Sequence, residues 1–160
     1  MKQIFESENI CFVEVSELLV KEYLAMVNDI ENVARLIGRG ADQISEEKER
    51  RWVRGKLEEK APIFSMIEKK SGRFIGNIEL MDVADSAAEL GIAITAGMQD
   101  RGFGTEAVRA LVGYGMDRLG LKRIFLKVFP DNARAIRVYE KCGFREYDRS
   151  GEDIFMEITR

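Results

Sequence analysis

The stretch Gln99-Asp100-Arg101-Gly102-Phe103-Gly104-Thr105 decides how this chain is read. It follows a strand-like run, Glu89 to Thr95. It leads into a helix signalled by Ala107, Val108, Leu111, Val112, Met116 and Leu119 at spacings of three and four, with Gly120 as its C-terminal cap. A loop that carries glycines into the first turn of a helix leaves backbone N–H groups unpaired at the positive end of the helix dipole, which makes the segment an anion cradle. Gly102 and Gly104 keep Cβ atoms out of the path of an approaching phosphate, and Arg101 adds charge. Because a lone Gly-x-Gly is common in ordinary loops, rival nucleotide sites have to be tested on spacing. A P-loop needs a Gly-Lys-Ser/Thr ending, which is absent here. Gly102, Gly104 and Ala107 match the dinucleotide fingerprint G-x-G-x-x-G/A. That fingerprint follows its strand directly, however, whereas Ala96 to Arg101 intervene, and the remaining chain is too short for the rest of a doubly wound sheet.

Working outward, Arg123 to Phe129 reads as a strand, Pro130-Asp131-Asn132 opens a helix carrying Ile136 and Tyr139, and Gly143 stops it. Phe144 to Tyr147 and Asp153 to Ile158 close as a terminal hairpin. Upstream, Ile10 to Val15 is a strand, and Val20, Tyr23, Leu24 and Val27 repeat at helical spacing after Ser16. Ser45 caps a charged helix with a thin apolar face of Trp52, Val53 and Leu57, whose run Glu46 to Arg51 reads as solvated. Ile63 to Glu68, a Lys70-Ser71-Gly72 turn and Arg73 to Met81 form a hairpin that Glu89 to Thr95 extends. The order β-α-α-β-β-β-α-β-α-β-β predicts an α/β (α+β) fold: a mixed, mostly antiparallel sheet with about four helices packed on it, in one domain spanning 1–160.

Composition narrows the chemistry. The chain has 160 residues, no histidine and a formal net charge of −3. Without histidine there is no His-based triad and no His-bound zinc, so acid–base work falls to Glu, Asp, Tyr, Lys, Cys or water. Cys11 and Cys142 lack metal-type spacing, so no metal is expected and both read as buried, reduced side chains. The charge gives no footprint for nucleic acid, no run approaches the ~20 apolar residues that span a bilayer, and the amino terminus lacks a secretory profile; the expected location is cytoplasmic. An exposed strand or the terminal hairpin would suit a homodimer.

The cradle is followed by Asn132-Ala133-Arg134-Ala135-Ile136-Arg137-Val138-Tyr139-Glu140-Lys141-Cys142-Gly143-Phe144. The pair Gln-x-x-Gly-x-Gly and Asn-x-x-(Ala/Ser)-x-x-x-Tyr-x-x-x-Gly-Phe resembles the GNAT superfamily of N-acetyltransferases. Ala88-Glu89-Leu90-Gly91-Ile92 is similar to its subgroup acting on ribosomal-protein amino termini. The similarity runs from about Ala88 to Tyr147. It implies a sheet splayed between two parallel strands, Glu89 to Thr95 and Arg123 to Phe129, that admits acetyl-CoA. It also implies backbone pairing of Ile92, Ala93 and Ile94 with the pantetheine arm. Gln99 and Arg101, Gly102, Phe103, Gly104 and Thr105 would hold the pyrophosphate, Asn132 would contact the pantetheine region, and Tyr139 would lie near the thioester sulfur. Some members carry a glutamate where this sequence has Lys127, so that position does not transfer as a base.

The implied reaction is acetyl transfer to a primary amine by direct attack; the acceptor is a protein amino terminus, a lysine, a polyamine or a small molecule. A lysine-like amine of pKa about 10.4 is neutral at pH 7 only to about one part in 10³ to 10⁴, which costs roughly 4–5 kcal/mol before attack. Glu89, Glu79 and Asp82 are the carboxylate candidates for a base, directly or through water, with Glu89 preferred. Tyr139 is the catalytic candidate on the leaving-group side, as a donor to the departing thiolate. Cys142 has no flanking base and reads as a small packed side chain rather than an acyl-carrying nucleophile. A non-catalytic acyl-CoA-binding module is the alternative from another class.

Overall fold

Eight short segments build one sheet, and its two faces are covered by different helices. The computed structural model describes residues 1–40 and 42–160. The strands are β1 (Gln3–Glu6), β2 (Ile10–Glu14), β3 (Ile63–Glu68), β4 (Phe74–Ala84), β5 (Ala87–Ile94), β6 (Arg123–Val128), β7 (Arg145–Ser150) and β8 (Asp153–Thr159). The helices are α1 (Val20–Val27), α2 (Glu46–Glu59), α3 (Phe103–Arg118) and α4 (Ala133–Lys141). The sheet order is β1-β2-β3-β4-β5-β6-β8-β7, and every neighbouring pair is antiparallel except β5–β6.

Strand period two sorts side chains between the faces. Ile78, Leu80, Leu90, Ile124 and Leu126 point to one side and pack with Phe103, Ala107, Val108 and Leu111 of α3 and Tyr139 of α4. Helix α3 comes close because Gly115 has no side chain: a Cβ there would meet Leu80, Leu121 and Ile124 at 3.2 Å. On the other side Ile63 and Phe74 pack beneath Val20, Tyr23 and Met26 of α1 and Val53 of α2. The α3 core is the larger and runs the width of the sheet.

Three features depart from the sequence expectations. Strand β1 was not anticipated; four residues with a register shift between Gln3 and Phe5 give little alternation to read. Tertiary contacts hold it instead. Phe5 stacks on Phe12 at 4.2 Å and on Tyr114 at 4.6 Å, and Glu106 of α3 accepts hydrogen bonds from Ser7 Oγ (2.6 Å) and from the backbone N–H of Asn9 (2.6 Å). Burial works against the charge of Glu106, but those bonds hold its carboxyl below the usual carboxylate range. Second, the run Glu46 to Arg51 is not uniformly solvated: Glu49 is 5% exposed, because the α2 face that carries Val53 also carries Glu49. Its carboxyl is pushed up by burial, with Arg39 and Lys48 opposing. Third, both cysteines are free but half-buried rather than buried.

Helix α2 starts as expected, with Ser45 Oγ accepting the Lys48 N–H at 3.2 Å and three glutamates in the first turn. Between α1 and α2, Ile30–Ala34 forms a single π-helical turn capped by Asp29. The chain then continues through Gly38, where φ is +78°.

Candidate functional site

Parallel pairing of β5 with β6 lasts three residues, Ala87↔Arg123, Ala88↔Ile124 and Glu89↔Phe125. Beyond Glu89 the strands diverge, and a groove of about 790 Å³ opens between them. Its lining comes from both faces of the sheet. Tyr139, Val138, Gly104 and Thr105 belong to the α3–α4 side, whereas Met81, Glu89, Gly91 and Ala93 belong to the α1–α2 side, with Val33, Leu36 and Ile37 above them. The groove therefore passes through the sheet at the splay, the geometry the resemblance implies for the thioester. Ile92, Ala93 and Ile94 form its β5 wall and Asn132 its floor at the start of α4. Asn132 also caps that helix, its Oδ1 accepting the Ala135 N–H at 3.3 Å.

At one end lies the cradle. Gly102 is the N-cap of α3 at φ +85°, with no side chain capping the helix, and a Cβ built on it would meet nothing within 4 Å. The first intrahelical bond runs from the Glu106 N–H to Gly102 O at 3.3 Å, so the N–H groups of Phe103, Gly104 and Thr105 have no partner inside the helix. Open space beside unpaired donors at the dipole's positive end fits a pyrophosphate. Two side chains sit differently from the sequence expectation. The guanidinium of Arg101 turns away from the groove onto Glu68 (3.3 Å) and over the Phe103 ring (5.3 Å), since a nine-tenths-buried carboxylate and an aromatic face outcompete open solvent. The Phe103 side chain is itself core, 6% exposed, leaving only its backbone for an anion. Gln99 spends its side-chain amide on Ile94 O (2.9 Å) and Asn32 O (3.1 Å), so it shapes the loop and ties the π-helical turn to the end of β5.

The positive charge comes from elsewhere. Arg134, Arg137 and Lys141 line the groove from α4, where spacings of three and four set them on one face. Arg134 also pairs with Asp100 of the cradle loop at 3.0 Å. These residues stood inside the quoted motif, and their helical spacing was the readable signal. On the opposite rim Arg35, from the segment after the π-helical turn, reaches Asp131 at 3.4 Å, and Gly38 lies beside Phe129. The 30–38 segment thus walls the groove, which no local pattern announced.

Among the groove's lining residues Tyr139 is 8% exposed, its ring 5.9 Å from that of Phe144. Burial pushes its phenol up to about 12, with the neighbouring Cys142 thiol a lesser contributor and no hydrogen bond offsetting the loss of water. Cys142 donates its thiol hydrogen to Thr105 O at 3.5 Å; burial pushes that thiol up too, only partly countered by Arg109, so it stays protonated and is no nucleophile. On the far side of the splay, Glu79, Met81, Glu89 and Gly91 share one face, paired Glu79↔Gly91 and Met81↔Glu89. Gly91 leaves the way open: a Cβ there would lie 3.5 Å from Glu79 Cγ and 3.0 Å from Met81 Cε. Burial pushes the Glu79 carboxyl up, Lys56 of α2 opposes, and Glu89 and Asp82 add to the rise. Glu89 lines the groove at the last paired residue; Asp82 is exposed, at φ +53°.

A groove through the sheet at the splay, beside a helix start with unpaired N–H groups, defines the architecture of the site. The profile of the acetyltransferase (GNAT) domain matches residues 9–145, and the chain belongs to that family. It is 34% identical over 92 residues to an uncharacterized N-acetyltransferase, p20, of Bacillus licheniformis, covering 56% of this chain and 52% of that one. It is 30% identical over 93 residues to the spermidine N(1)-acetyltransferase of Vibrio cholerae, covering 57% and 54%. The chain thus spans about half the length of these curated relatives. A crystal structure of a Vibrio cholerae spermidine N-acetyltransferase in complex with CoA and spermine superposes with a TM-score of 0.86 at 19% identity, covering 96% of each chain. No described helix is long and apolar enough to cross a membrane.

Proposed function

We propose that this chain, acting as one domain, transfers an acetyl group from acetyl-CoA to a primary amine by direct attack. The observation that carries the reading is the groove through the sheet, lined by Tyr139 on one face and by Glu89 and Gly91 on the other, with Glu79 paired to Gly91. When bound, acetyl-CoA supplies the acetyl group on a thioester. The backbone N–H groups of Gly102 to Thr105 hold its pyrophosphate, and Arg134, Arg137 and Lys141 add the positive charge that Arg101 has committed to Glu68. The Ile92–Ile94 edge, freed by the splay, pairs with the pantetheine arm, and Asn132 borders it.

Tyr139 serves the leaving side as a hydrogen-bond donor. With its phenol near 12 against a thiolate near 8.5, giving up the proton is uphill by about 5 kcal/mol, so the proton stays on Oη. Glu79 takes the acceptor's proton. Its raised carboxyl is better matched to neutral pH than that of an ordinary surface glutamate, and the charge of Glu89 helps keep it raised. The acidic trio Glu79, Asp82 and Glu89 also favours a cationic acceptor. Together with the polyamine acetyltransferases among the relatives, this points to a small polyamine rather than a neutral amine.

The test is thiol release from acetyl-CoA over a panel of polyamines, lysine derivatives and peptide amino termini. Polyamine-stimulated release supports the full reading and release with another amine corrects the acceptor. CoA binding without release across the panel would mark a binding module instead.

A further inference from the structure

An acidic residue stands in the very loop that offers its N–H groups to an anion. Asp100 lies two residues before Gly102, the N-cap of α3, and lines the groove together with the cradle. A carboxylate at that place would ordinarily turn onto the unpaired N–H groups of the first helical turn, where hydrogen bonds and the dipole both favour it. Here it does not: among the described residues no side chain caps α3. The backbone of Asp100 is left-handed, at φ +59°, and its Oδ2 instead accepts from Arg134 Nη1 of α4 at 3.0 Å. The ion pair joins the cradle loop to α4 and leaves the helix N–H groups free.

Arg134 is placed to trade partners. It lies in the first turn of α4, at the positive end of that helix, and the turn carries no acidic residue of its own, so the guanidinium gains from any anion beside it. Its side chain is 37% exposed and that of Asp100 70%, and an ion pair so open to water contributes little to stability. No other cation of the cradle loop stands ready in its place. Arg101 is held by Glu68, whose side chain is 10% exposed and which also accepts from the Ser71 hydroxyl, and Arg101 is not among the groove's lining residues. A pyrophosphate arriving at Gly102 therefore meets a carboxylate of its own sign, paired to an arginine that the phosphate would itself attract.

We propose that Asp100 and Arg134 form an exchangeable latch on the donor cradle, in which the phosphate of the donor displaces Asp100 from Arg134 and the carboxylate swings into solvent. This rests on the acyl-transfer reading above, from which it takes CoA as the anion. Asp100 then sets donor affinity from the unfavourable side. It holds Arg134 while the cradle is empty, repels the phosphate once bound, and takes Arg134 back as CoA leaves. Because the donor and the spent CoA carry the same phosphates, the latch hastens release of the product as well as holding down affinity for the donor.

Asp100→Asn isolates the effect, because asparagine adopts the left-handed backbone as aspartate does and has nearly the same shape. Calorimetric titration with CoA should show this variant binding about three- to ten-fold more tightly than the parent, with the melting temperature unchanged. In an Arg134→Gln background the same change should tighten binding by no more than about two-fold, since only the repulsion is left to remove. Glu140→Gln takes a negative charge from an exposed position of α4 outside the groove's lining, and should leave CoA affinity within about two-fold of the parent. Equal or weaker CoA binding in Asp100→Asn would overturn the latch while leaving the acyl-transfer reading standing. Equal tightening in both arginine backgrounds, or in Glu140→Gln, would overturn it as well, reducing Asp100 to one like charge in the field of the groove. The expected pattern in a protein that releases no thiol with any amine would uphold the latch and sink the acyl-transfer reading.

Discussion

The two sides of the splay are built on different principles. The donor side, from Gln99 to Phe144, is contiguous in sequence: a loop, a helix, a strand and a second helix place the cradle, the basic face of α4 and Tyr139 within one stretch of chain. The acceptor side is assembled from α1, the 30–38 segment, α2 and β4, and several of its polar groups are set by partners far away in sequence, such as Tyr23 with Ser65 or Lys56 with Glu79. On the proposed reading the donor side grips with backbone, and the acceptor side selects with side chains on a sheet face.

Experiments that separate the sides should therefore give opposite signatures. The largest effect is expected for Glu79→Gln, with turnover down about 10²- to 10⁴-fold and donor affinity intact. The same variant should be more thermally stable at pH 7. A carboxyl raised in the folded state contributes stability below its unfolded value and loses it as pH rises through the folded value, and glutamine escapes that loss. A lower melting temperature at neutral pH would contradict the burial assigned to Glu79. Tyr139→Phe comes next, with turnover down about ten- to a thousand-fold and CoA affinity little changed; full turnover at saturating substrates would remove the phenol from the mechanism.

Gly102→Ala attacks the donor side by itself. At φ +85° an alanine costs about 1–2 kcal/mol, and its methyl enters the space open to the anion. Calorimetry should show CoA binding weakened about tenfold, with the amine KM unchanged. Glu106→Gln tests a contact of α3 that lies outside the groove. Losing the charge that Ser7 and Asn9 satisfy should lower stability by about 1–2 kcal/mol in urea titration, without a kinetic effect. The smallest change is Gly91→Ala, where the methyl meets the flexible end of Met81 at 3.0 Å, so Met81 yields; a two- to three-fold rise in the amine KM with the donor KM unmoved would place Gly91 on the acceptor path.

The donor side was legible because its signals are local. Glycines before a helix, a cap at Asn132 and a period-three-and-four repeat each need only a few neighbouring residues to be recognised. Even there, the side chains of Arg101 and Gln99 escaped reading, since Glu68 and the Asn32 carbonyl that engage them lie 33 and 67 residues away. On the acceptor side Glu79 and Glu89 were both visible as candidates, but which one burial raises depends on how α2 and β4 pack. Strand β1, buried Glu49 and the 30–38 wall carried no periodic signal at all.

The sequence alone determined the order of elements from Ile10 onward, the glycine loop that opens α3, the absence of histidine chemistry and the placement of Tyr139 on an amphipathic helix, because each follows from short-range periodicity, backbone stereochemistry or composition. Only the tertiary structure decided where β5 and β6 part, that the groove crosses the sheet there, and which carboxylate is raised. Those depend on strand register and on burial, which are properties of residues brought together from distant parts of the chain.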